Sequence, residues 1–191
     1  MYIFISILLI ILIIIYFNYI YTYEYFYAGK KETKEKLNNT LEHISKLLNH
    51  NNIKNWFIGY GTLLGIIREN ECIEKDDDID ILCNKKDFNT IKQMLIDNGF
   101  TFKNLGNTNN LILKTNDSYK YASIDFYFCE VDIYGTYIDK WNNNRTWPKC
   151  FKNGSLIAYK WKDTILYLPN NKLEHIKKIY GKTWNIPISK K

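Results

Sequence analysis

The spacing of apolar and polar positions changes several times along the 191-residue chain. In residues 30–50, leucine and isoleucine recur at spacings of three and four, which predicts an amphipathic helix with one buried stripe. Residues 56–60 and 79–83 are short apolar runs between polar residues, a pattern typical of buried strands. The first half of the chain is therefore predicted to alternate between helix and strand.

The rest of the chain, from residue 87 onward, is predicted to contain two further helices and several strands. The predicted helices are residues 87–98 and 169–180, and the β-like runs are residues 100–103, 111–115, 122–131 and a hairpin over 155–168. Residues 134–149 are aromatic and Asn-rich, and we interpret them as a surface segment that carries Arg145. Together these elements predict an α/β (α+β) domain in which helices cover a mixed sheet.

A strand, a glycine turn and a helix follow one another around residue 60. Gly59 and Gly61 allow a tight turn and a close approach of the backbone. Thr62 is predicted to cap the helix that follows, which ends near Arg68. The first turn of such a helix presents free N–H groups, and a phosphate suits that place.

Four aspartates lie within five positions, and the last two are Asp78 and Asp80. Residues two apart in a strand share a face, so these two carboxylates are predicted to point the same way. Side-by-side carboxylates repel each other unless a divalent cation bridges them, and oxygen ligands suit Mg²⁺ or Mn²⁺. A solvated acidic turn that binds nothing is the alternative interpretation.

A third carboxylate lies far along the chain, in the apolar run of residues 122–131. Asp125 stands between Ile124 and Phe126, and a buried aspartate is uncommon unless it is paired or metal-bound. Asp132 has a similar setting and is the second candidate for this role. An edge strand with its polar side in water would explain either residue without a site.

The net charge bears on nucleic-acid binding, and the cysteine spacing bears on zinc binding and disulfide formation. The net charge is +6, but the lysines are scattered and no nucleic-acid-binding module is recognisable, so nucleic acid is not an expected partner. The four cysteines form no CxxC pair, which argues against a zinc site. Their even number leaves disulfides open.

The N-terminal segment predicts a membrane anchor. No charged side chain precedes Glu24, and residues 3–17 are almost wholly aliphatic or aromatic. With the Tyr-rich residues that follow, the run reaches the ~20 residues that a bilayer-spanning helix needs, and the tyrosines resemble an interfacial belt. We predict an uncleaved single-pass anchor in residues 1–29, followed by one domain in residues 30–191. A cleaved signal peptide is the alternative.

Two opposing signals leave open on which side of the membrane the C-terminal domain lies. Four lysines between residues 30 and 36 follow the apolar run, and the positive-inside rule would keep the C-terminal domain in the cytosol. Four Asn-x-Ser/Thr sequons would matter only on the lumenal side, in the endoplasmic reticulum or Golgi of a eukaryotic cell.

Several of these motifs together resemble one known family. GTLLGIIR at residues 61–68, followed by DDDIDIL at 76–82, resembles the signature of the LicD/fukutin-related family of nucleotidyltransferase-fold phosphotransferases. SIDFYF around Asp125 is similar to the third acidic strand of that family, and residues 168–187 are similar to its C-terminal pattern. The resemblance covers residues 40–190. The IEK approach to the aspartates departs from the aromatic or Pro-containing approach usual in the family.

The resemblance implies a fold and a reaction. The fold would be a nucleotidyltransferase-like mixed sheet flanked by helices. The reaction would move a phospho-substituent, such as phosphocholine or a pentitol phosphate, from a CDP-linked donor to a hydroxyl of a glycan or glycoprotein, with release of CMP. A nucleotidyltransferase that adds NMP from an NTP, and a non-catalytic membrane-tethered domain of the same fold, are the alternatives.

The resemblance also implies roles for particular residues. Asp78 and Asp80 would bind Mg²⁺ or Mn²⁺, and Asp125 would complete the metal site or accept the proton of the acceptor hydroxyl. Gly61 and Thr62 would contact the donor phosphate. Arg68 would neutralise charge on the donor.

Overall fold

The structure is a computed structural model that describes residues 10, 12, 13 and 31–187. The chain divides into two compact units, Met1–Lys31 and Glu32–Lys191. The predicted anchor in residues 1–29 lies outside the described residues, except for Ile10, Leu12 and Ile13, which are helical. Within the described part of the chain, no helix combines the length and the apolar character that crossing a bilayer requires.

The described part of the second unit begins with alternating helices and strands and continues with six successive strands and a final helix. Its elements in chain order are α1 (Lys34–His50), β1 (Trp56–Ile58), α2 (Tyr60–Glu69), β2 (Asp78–Asn84), a 3₁₀ turn (Lys85–Asp87), α3 (Phe88–Asp97), β3 (Ile112–Lys114), β4 (Ser123–Val131), β5 (Tyr137–Asp139), β6 (Arg145–Trp147), β7 (Ile157–Trp161), β8 (Thr164–Leu168) and α4 (Lys172–Tyr180).

Six of these strands form one mixed sheet in the order β1-β2-β4-β5-β6, and β3 also pairs with β4. The pairing of β2 with β4 is parallel, and the other pairings in the sheet are antiparallel. Strands β7 and β8 form a separate hairpin. The predicted mixed α/β fold is thus confirmed.

Helix α1 covers the sheet with the apolar stripe that its sequence predicts. Leu37, Leu41, Ile44 and Leu48 are fully buried, and the helix packs against β2 and β8. Because the stripe repeats at three and four residues, its side chains fall on one helical face and reach the same core. The helix begins at Lys34, where the Thr33 hydroxyl accepts the N–H of Lys36 and caps the first turn.

Two polar side chains of α1 also enter the core and fix the segments that precede the acidic strands. The Thr40 hydroxyl accepts the backbone N–H of Ala122 at 2.9 Å, immediately before β4. The Asn38 Oδ1 accepts the backbone N–H of Cys72 at 2.9 Å, in the loop that leads to β2. Helix α1 therefore positions both strands that carry the candidate carboxylates.

The start of α2 differs from the prediction. The helix begins at Tyr60 with Gly59 as its N-cap, so the prediction that Thr62 caps it is wrong. Thr62 is buried in the first turn, and its hydroxyl accepts the backbone N–H of Asp80 at 2.9 Å. This contact across to β2 satisfies the threonine hydroxyl, and the helix starts three residues earlier than predicted.

The segment from 134 to 149, predicted as a surface segment, has many exposed residues, including Arg145, but it also contributes β5 and β6 to the sheet. Tyr137 and Trp147 face each other in the strand register, and both are buried. Both rings pack edge-on against Phe57 of β1. Burial of these large aromatic side chains favours the extended pairing over an exposed loop.

Two smaller predictions are resolved as well. Residues 100–103 form no strand, since only an isolated bridge joins Phe102 to Thr115. All four cysteines lie in the described range as buried free thiols. Burial raises the pKa of the Cys72 and Cys150 thiols to about 12, so they stay protonated and behave as core residues.

Replacing Thr40 with valine is expected to destabilise the domain by about 1–3 kcal/mol, because the buried N–H of Ala122 then loses its acceptor. Chemical denaturation of the purified chain would measure this loss. Thr90→Val, at an exposed position of α3, is the matched control and should stay within about 0.5 kcal/mol of the parent chain. Equal stabilities for the two variants would contradict the proposed anchoring role of Thr40.

Candidate active site

The parallel pairing of β2 with β4 brings three carboxylates to one face of the sheet. Asp80 lies directly opposite Asp125, and Asp78 lies opposite Ser123. Neighbouring strands are about 4.8 Å apart, so the two facing aspartates are close neighbours. Asp80 is 7% exposed and Asp125 is 1% exposed, whereas Asp78 is half-buried at the end of its strand.

The first turn of α2 holds Asp80 in place. The backbone N–H of Gly61 donates to Asp80 Oδ2 at 3.1 Å, and the N–H of Asp80 donates to the Thr62 hydroxyl at 2.9 Å. Gly61 and Thr62 therefore position a carboxylate of the site. Their predicted contact with a donor phosphate stays a prediction.

Gly61 has a second role, because it lies against the side chain of Asp76. A Cβ atom built on Gly61 would approach Asp76 Oδ2 to 2.5 Å, so any larger residue here would require the Asp76 side chain to move. Asp76, in the loop before β2, thus reaches the same helix turn as Asp80. The close approach of backbone to carboxylate explains the glycine at this position.

Asp125 is held by two residues that the sequence did not indicate. The Lys114 ammonium forms an ion pair with Asp125 Oδ2, and the Tyr127 hydroxyl lies 3.2 Å from the same oxygen. Tyr127 also lies 3.2 Å from Asp80 Oδ1, so its hydroxyl links the two strands. The other oxygen, Asp125 Oδ1, is buried and has no hydrogen-bond partner among the described residues.

Ionisation of Asp78 and Asp80 is disfavoured, because their carboxylates are buried and lie close to other carboxylates. Burial raises the pKa of Asp78 to about 10, and repulsion by Asp80 and Asp125 adds to the effect. Burial, together with the charges of Asp125 and Asp76, also raises the pKa of Asp80 well above its usual value. The face therefore requires positive charge if all of its carboxylates are to be ionised together.

A divalent cation fits part of this arrangement. The described residues contain no group of three or more His, Cys, Asp or Glu side chains already set to hold a metal ion. However, a cation would provide a partner for Asp125 Oδ1 and would favour the ionised forms of Asp78 and Asp80. The carboxylate oxygens suit Mg²⁺ or Mn²⁺, and metal binding by these three residues stays a prediction.

Asp132, the second candidate for the third carboxylate, lies elsewhere. It follows the end of β4, seven residues or roughly 20 Å beyond Asp125. Its exposed carboxylate accepts the backbone N–H groups of Tyr134 and Thr136 at 2.9 and 2.8 Å. Asp132 closes its own turn, and Asp125 is the residue that joins Asp80.

Arg68 is not brought to the carboxylates. It lies near the C-terminal end of α2, seven residues and roughly 10 Å beyond Gly61. Its guanidinium forms an ion pair with Glu69, with Nη2 at 2.7 Å from Oε1. Its predicted role in neutralising donor charge has no support from these contacts and stays a prediction.

A buried network next to the site orients Tyr60. The Tyr60 hydroxyl donates to Asp139 Oδ2 at 2.5 Å, and Asp139 also accepts the backbone N–H groups of Trp141 and Asn142. The Tyr60 ring lies edge-on to the Tyr127 ring, with centroids 5.2 Å apart. Asp139 thereby fixes the aromatic residue that opens α2 beside the carboxylates.

Sequence patterns did not indicate roles for Tyr127, Lys114 and Asp139. A local pattern could have indicated only the first of them. Tyr127 follows Asp125 by two positions in one strand, so the period of two already placed both on one face. Lys114 meets Asp125 only through the register of β3 with β4, and Asp139 meets Tyr60 across 79 residues. No local sequence pattern indicates the pairing of Lys114 with Asp125 or of Asp139 with Tyr60.

The fold has a counterpart among solved structures. A similar fold occurs in a crystal structure of the lincosamide antibiotic adenylyltransferase LnuA with lincomycin bound. The match has a TM-score of 0.51 and 15% identity, and it covers 82% of this chain and 90% of that chain. At this identity the likeness concerns the fold alone.

The family is shown by a second comparison. A family model described as LicD/FKTN/FKRP, nucleotidyltransferase domain, matches residues 52–175. The chain belongs to this family, as its GTLLG and DDDID motifs predict. A search among curated proteins finds no match. Family and fold together indicate a transferase.

Replacing Asp78 with asparagine is expected to stabilise the metal-free chain, more at about pH 8 than at about pH 5. The folded chain binds a proton at Asp78 up to about pH 10, whereas the unfolded chain releases it near pH 3.9. Stability therefore falls as pH rises through this window, and asparagine removes that fall. Thermal unfolding in EDTA would measure the difference.

Asp132→Asn provides a control of opposite sign. Hydrogen bonds from the Thr136 and Tyr134 backbone lower the pKa of Asp132, so its contribution is present at neutral pH and is lost on acidification. This variant should be less stable than the parent chain at neutral pH. A pH-independent effect of Asp78→Asn would contradict the electrostatic explanation.

Replacing Lys114 with methionine is expected to cost about 3–5 kcal/mol, because it leaves the Asp125 carboxylate buried without its counter-ion. Adding Asp125→Asn should recover part of that loss, which a double-mutant cycle in denaturant would measure. Lys103→Met, at an exposed position nearby, is the matched control. A zero coupling energy would show that the ion pair contributes nothing.

Proposed function

We propose that the protein transfers a phospho-substituent, of the phosphocholine or pentitol-phosphate kind, from a CDP-linked donor to a glycan hydroxyl. The observation that carries the proposal is the placement of Asp80 opposite Asp125, with Asp78 beside them, in a domain of the LicD/FKTN/FKRP family. Transfer of such a group relies on positioning and charge neutralisation more than on covalent help from the protein. A face of fixed carboxylates suits that task.

In the proposed reaction the acceptor oxygen forms a bond to the donor phosphorus that carries the transferred group. The bond from this phosphorus to the oxygen of CMP breaks, and CMP leaves with the electron pair. The hydroxyl proton passes to a carboxylate, and Asp78 is the one that is only half-buried. Asp125 is buried against Lys114, so it suits a holding role better than contact with a sugar hydroxyl.

A divalent cation held by Asp78, Asp80 and Asp125 would supply charge neutralisation on the donor phosphates. The remaining residues act through position. Gly61 and Thr62 keep Asp80 in place, and Tyr127 keeps the two strands' carboxylates at a fixed separation. The site would thus be rigid before the donor binds.

Nucleotidyl transfer is the second candidate function. The fold likeness to a lincosamide antibiotic adenylyltransferase favours it, since that enzyme moves a nucleotide and not a phospho-substituent. The two reactions differ in their products. Phospho-substituent transfer from a CDP-linked donor releases CMP, whereas nucleotidyl transfer from an NTP releases pyrophosphate.

The test is a screen of the full chain with CDP-linked donors, NTPs, Mg²⁺ and glycan acceptors, followed by mass spectrometry. We expect release of CMP, and we expect Asp80→Asn and Asp125→Asn to slow it by about 10²–10³-fold. Asp132→Asn is the matched control and should keep full activity, because Asp132 closes a turn away from the site.

Each contrary outcome has a distinct meaning. Pyrophosphate release from an NTP would replace the proposal with nucleotidyl transfer. Full activity in Asp80→Asn would show that the carboxylate face is not the site. Absence of any turnover, together with no Mn²⁺ binding by the intact chain, would indicate a non-catalytic domain.

Attachment to a membrane through residues 1–29 belongs to the same proposal and rests on the apolar sequence alone. It would place the transferase beside membrane-bound glycan acceptors. Extraction of membranes at alkaline pH tests it, because an integral anchor stays in the pellet. A glycosidase-sensitive mass shift would place the domain on the lumenal side.

A further inference from the structure

A cavity lies around β3, where helix α3 and residues 102–110 approach that strand. Its volume is about 290 Å³, and its lining includes all three residues of β3 together with Phe88 and Lys92 of α3. Ligand pockets usually measure roughly 300–1,000 Å³. The cavity is at the lower end of this range, which suits about one or two sugar units better than a whole CDP-linked donor.

The strand register connects the cavity to the candidate active site. Lys114, which lines the cavity, lies opposite Asp125 and forms an ion pair with it. The backbone N–H of Lys103 donates to the Lys114 carbonyl at 2.9 Å, which sets Lys103 beside Lys114. Opposite residues share a face of a sheet, so the two lysines continue the row of Asp80 and Asp125 toward the sheet edge.

The cavity and the first turn of α2 lie on opposite sides of the carboxylate pair. The turn bonds to Asp80 on β2, whereas the cavity surrounds β3, beyond β4 in the sheet. In phosphoryl transfer the attacking and leaving oxygens are roughly in line. With a donor phosphate at Gly61 and Thr62, the role expected for them, this geometry favours approach of the attacking hydroxyl from the side of β3.

The polar lining of the cavity suits a ligand rich in hydroxyl groups. Lys92 and Lys103 are exposed and supply ammonium donors. Among the described residues that line the cavity, none is an aspartate or a glutamate, so a cation is not favoured. A sugar hydroxyl both donates and accepts, whereas a simple anion only accepts. Four asparagines supply amides that do both: Asn104, Asn107, Asn109 and Asn110.

Two aromatic rings add an apolar surface to the same cavity. Phe88 and Phe102 are both half-buried, and the Phe88 ring is held edge-on to Phe128 with centroids 4.8 Å apart. The Lys92 ammonium lies 5.9 Å from the centroid of the Phe88 ring. The negative face of an aromatic ring attracts weakly positive C–H groups, which one face of a sugar ring presents. Rings beside amides and ammonium groups therefore match a carbohydrate.

The segment that covers the cavity is held by its own hydrogen bonds. Asn104 Oδ1 accepts the backbone N–H of Gly106 at 3.1 Å, and Asn107 Oδ1 accepts that of Asn109 at 3.0 Å. The Thr108 carbonyl accepts the N–H of Leu111 at 2.9 Å, where the segment joins β3. A lining that is already ordered loses less conformational entropy when a ligand binds.

We propose that this cavity is a subsite for the acceptor chain, which holds about one or two sugar units next to the sugar whose hydroxyl reacts. The assignment to the acceptor rests on the proposed function. The acceptor chain passes from the carboxylates over Lys114 to the rings of Phe88 and Phe102. The protein would thus select an acceptor of several sugar units over a single sugar.

The test measures binding of neutral trisaccharides to the full chain by calorimetry in EDTA, so that no metal contributes. The probes are maltotriose, cellotriose, mannotriose and triacetylchitotriose, each compared with its monosaccharide. We expect at least one trisaccharide to bind about tenfold more tightly than its monosaccharide, and Lys92→Met and Lys103→Met each to weaken it by about tenfold. Phe102→Leu should weaken it by about threefold, because it removes the ring face.

Lys86→Met is the matched control, because it removes an exposed lysine just before α3 that does not line the cavity. It should bind the trisaccharide as the parent chain does. CMP should bind equally to the parent chain and to every variant. Unchanged melting temperatures would show that the variants fold, and the two lysine variants test the subsite even if Phe102→Leu does not fold.

Three outcomes would overturn the proposal. The first is that the parent chain binds none of the trisaccharides, or binds them no better than the monosaccharides. The second is equal binding by the parent chain and by both lysine variants. The third is binding of inorganic phosphate or CMP, in place of a trisaccharide, that depends on Lys92 and Lys103. Because binding is measured without turnover, absence of transferase activity would refute the proposed reaction and leave the subsite standing.

An activity measurement adds a readout that a merely structural role would not move. With a functional donor, Lys92→Met should raise KM for a trisaccharide acceptor by about tenfold and leave KM for a monosaccharide acceptor unchanged. The KM for the donor should not change. Equal effects on the long and the short acceptor would contradict a subsite for the acceptor chain.

Discussion

The facing of two aspartates across a pair of parallel strands is the constraint on which the rest of the site depends. Asp80 and Asp125 are opposite each other in the register, both are buried, and both carry the same charge when ionised. Such a pair is unfavourable by itself. Three contacts stabilise the pair: the Lys114 ammonium on Asp125, the Tyr127 hydroxyl between the two carboxylates, and the Gly61 N–H on Asp80.

Much of the fold follows from periodicity, and the exceptions have a common cause. The stripe of α1, the strands around residues 58, 81 and 126 and the final hairpin match their patterns. The segment that holds β5 and β6 does not, because Tyr137 and Trp147 are buried only through pairing with each other and packing on Phe57. Nothing local distinguishes such aromatic residues from exposed ones.

The same distinction applies to the site. Alternation along a strand placed Asp78 beside Asp80, and an aspartate within an apolar run identified Asp125. The start of α2 was misplaced because the Thr62 hydroxyl serves a distant strand and not its own helix. Lys114 and Asp139 escaped notice because their partners are set by strand register and by contacts that cross most of the domain.

The hydrogen bonds from α1 have a consequence for how the site forms. Thr40 meets Ala122 across 82 residues, and Asp80 meets Tyr127 across 47. Loop-closure entropy must be overcome before such contacts stabilise the chain, so long-range parallel pairing is intrinsically slow. The pairing of β2 with β4, which brings Asp80 and Asp125 together, is therefore expected to limit how fast the site assembles. No fragment that lacks either strand would retain both carboxylates.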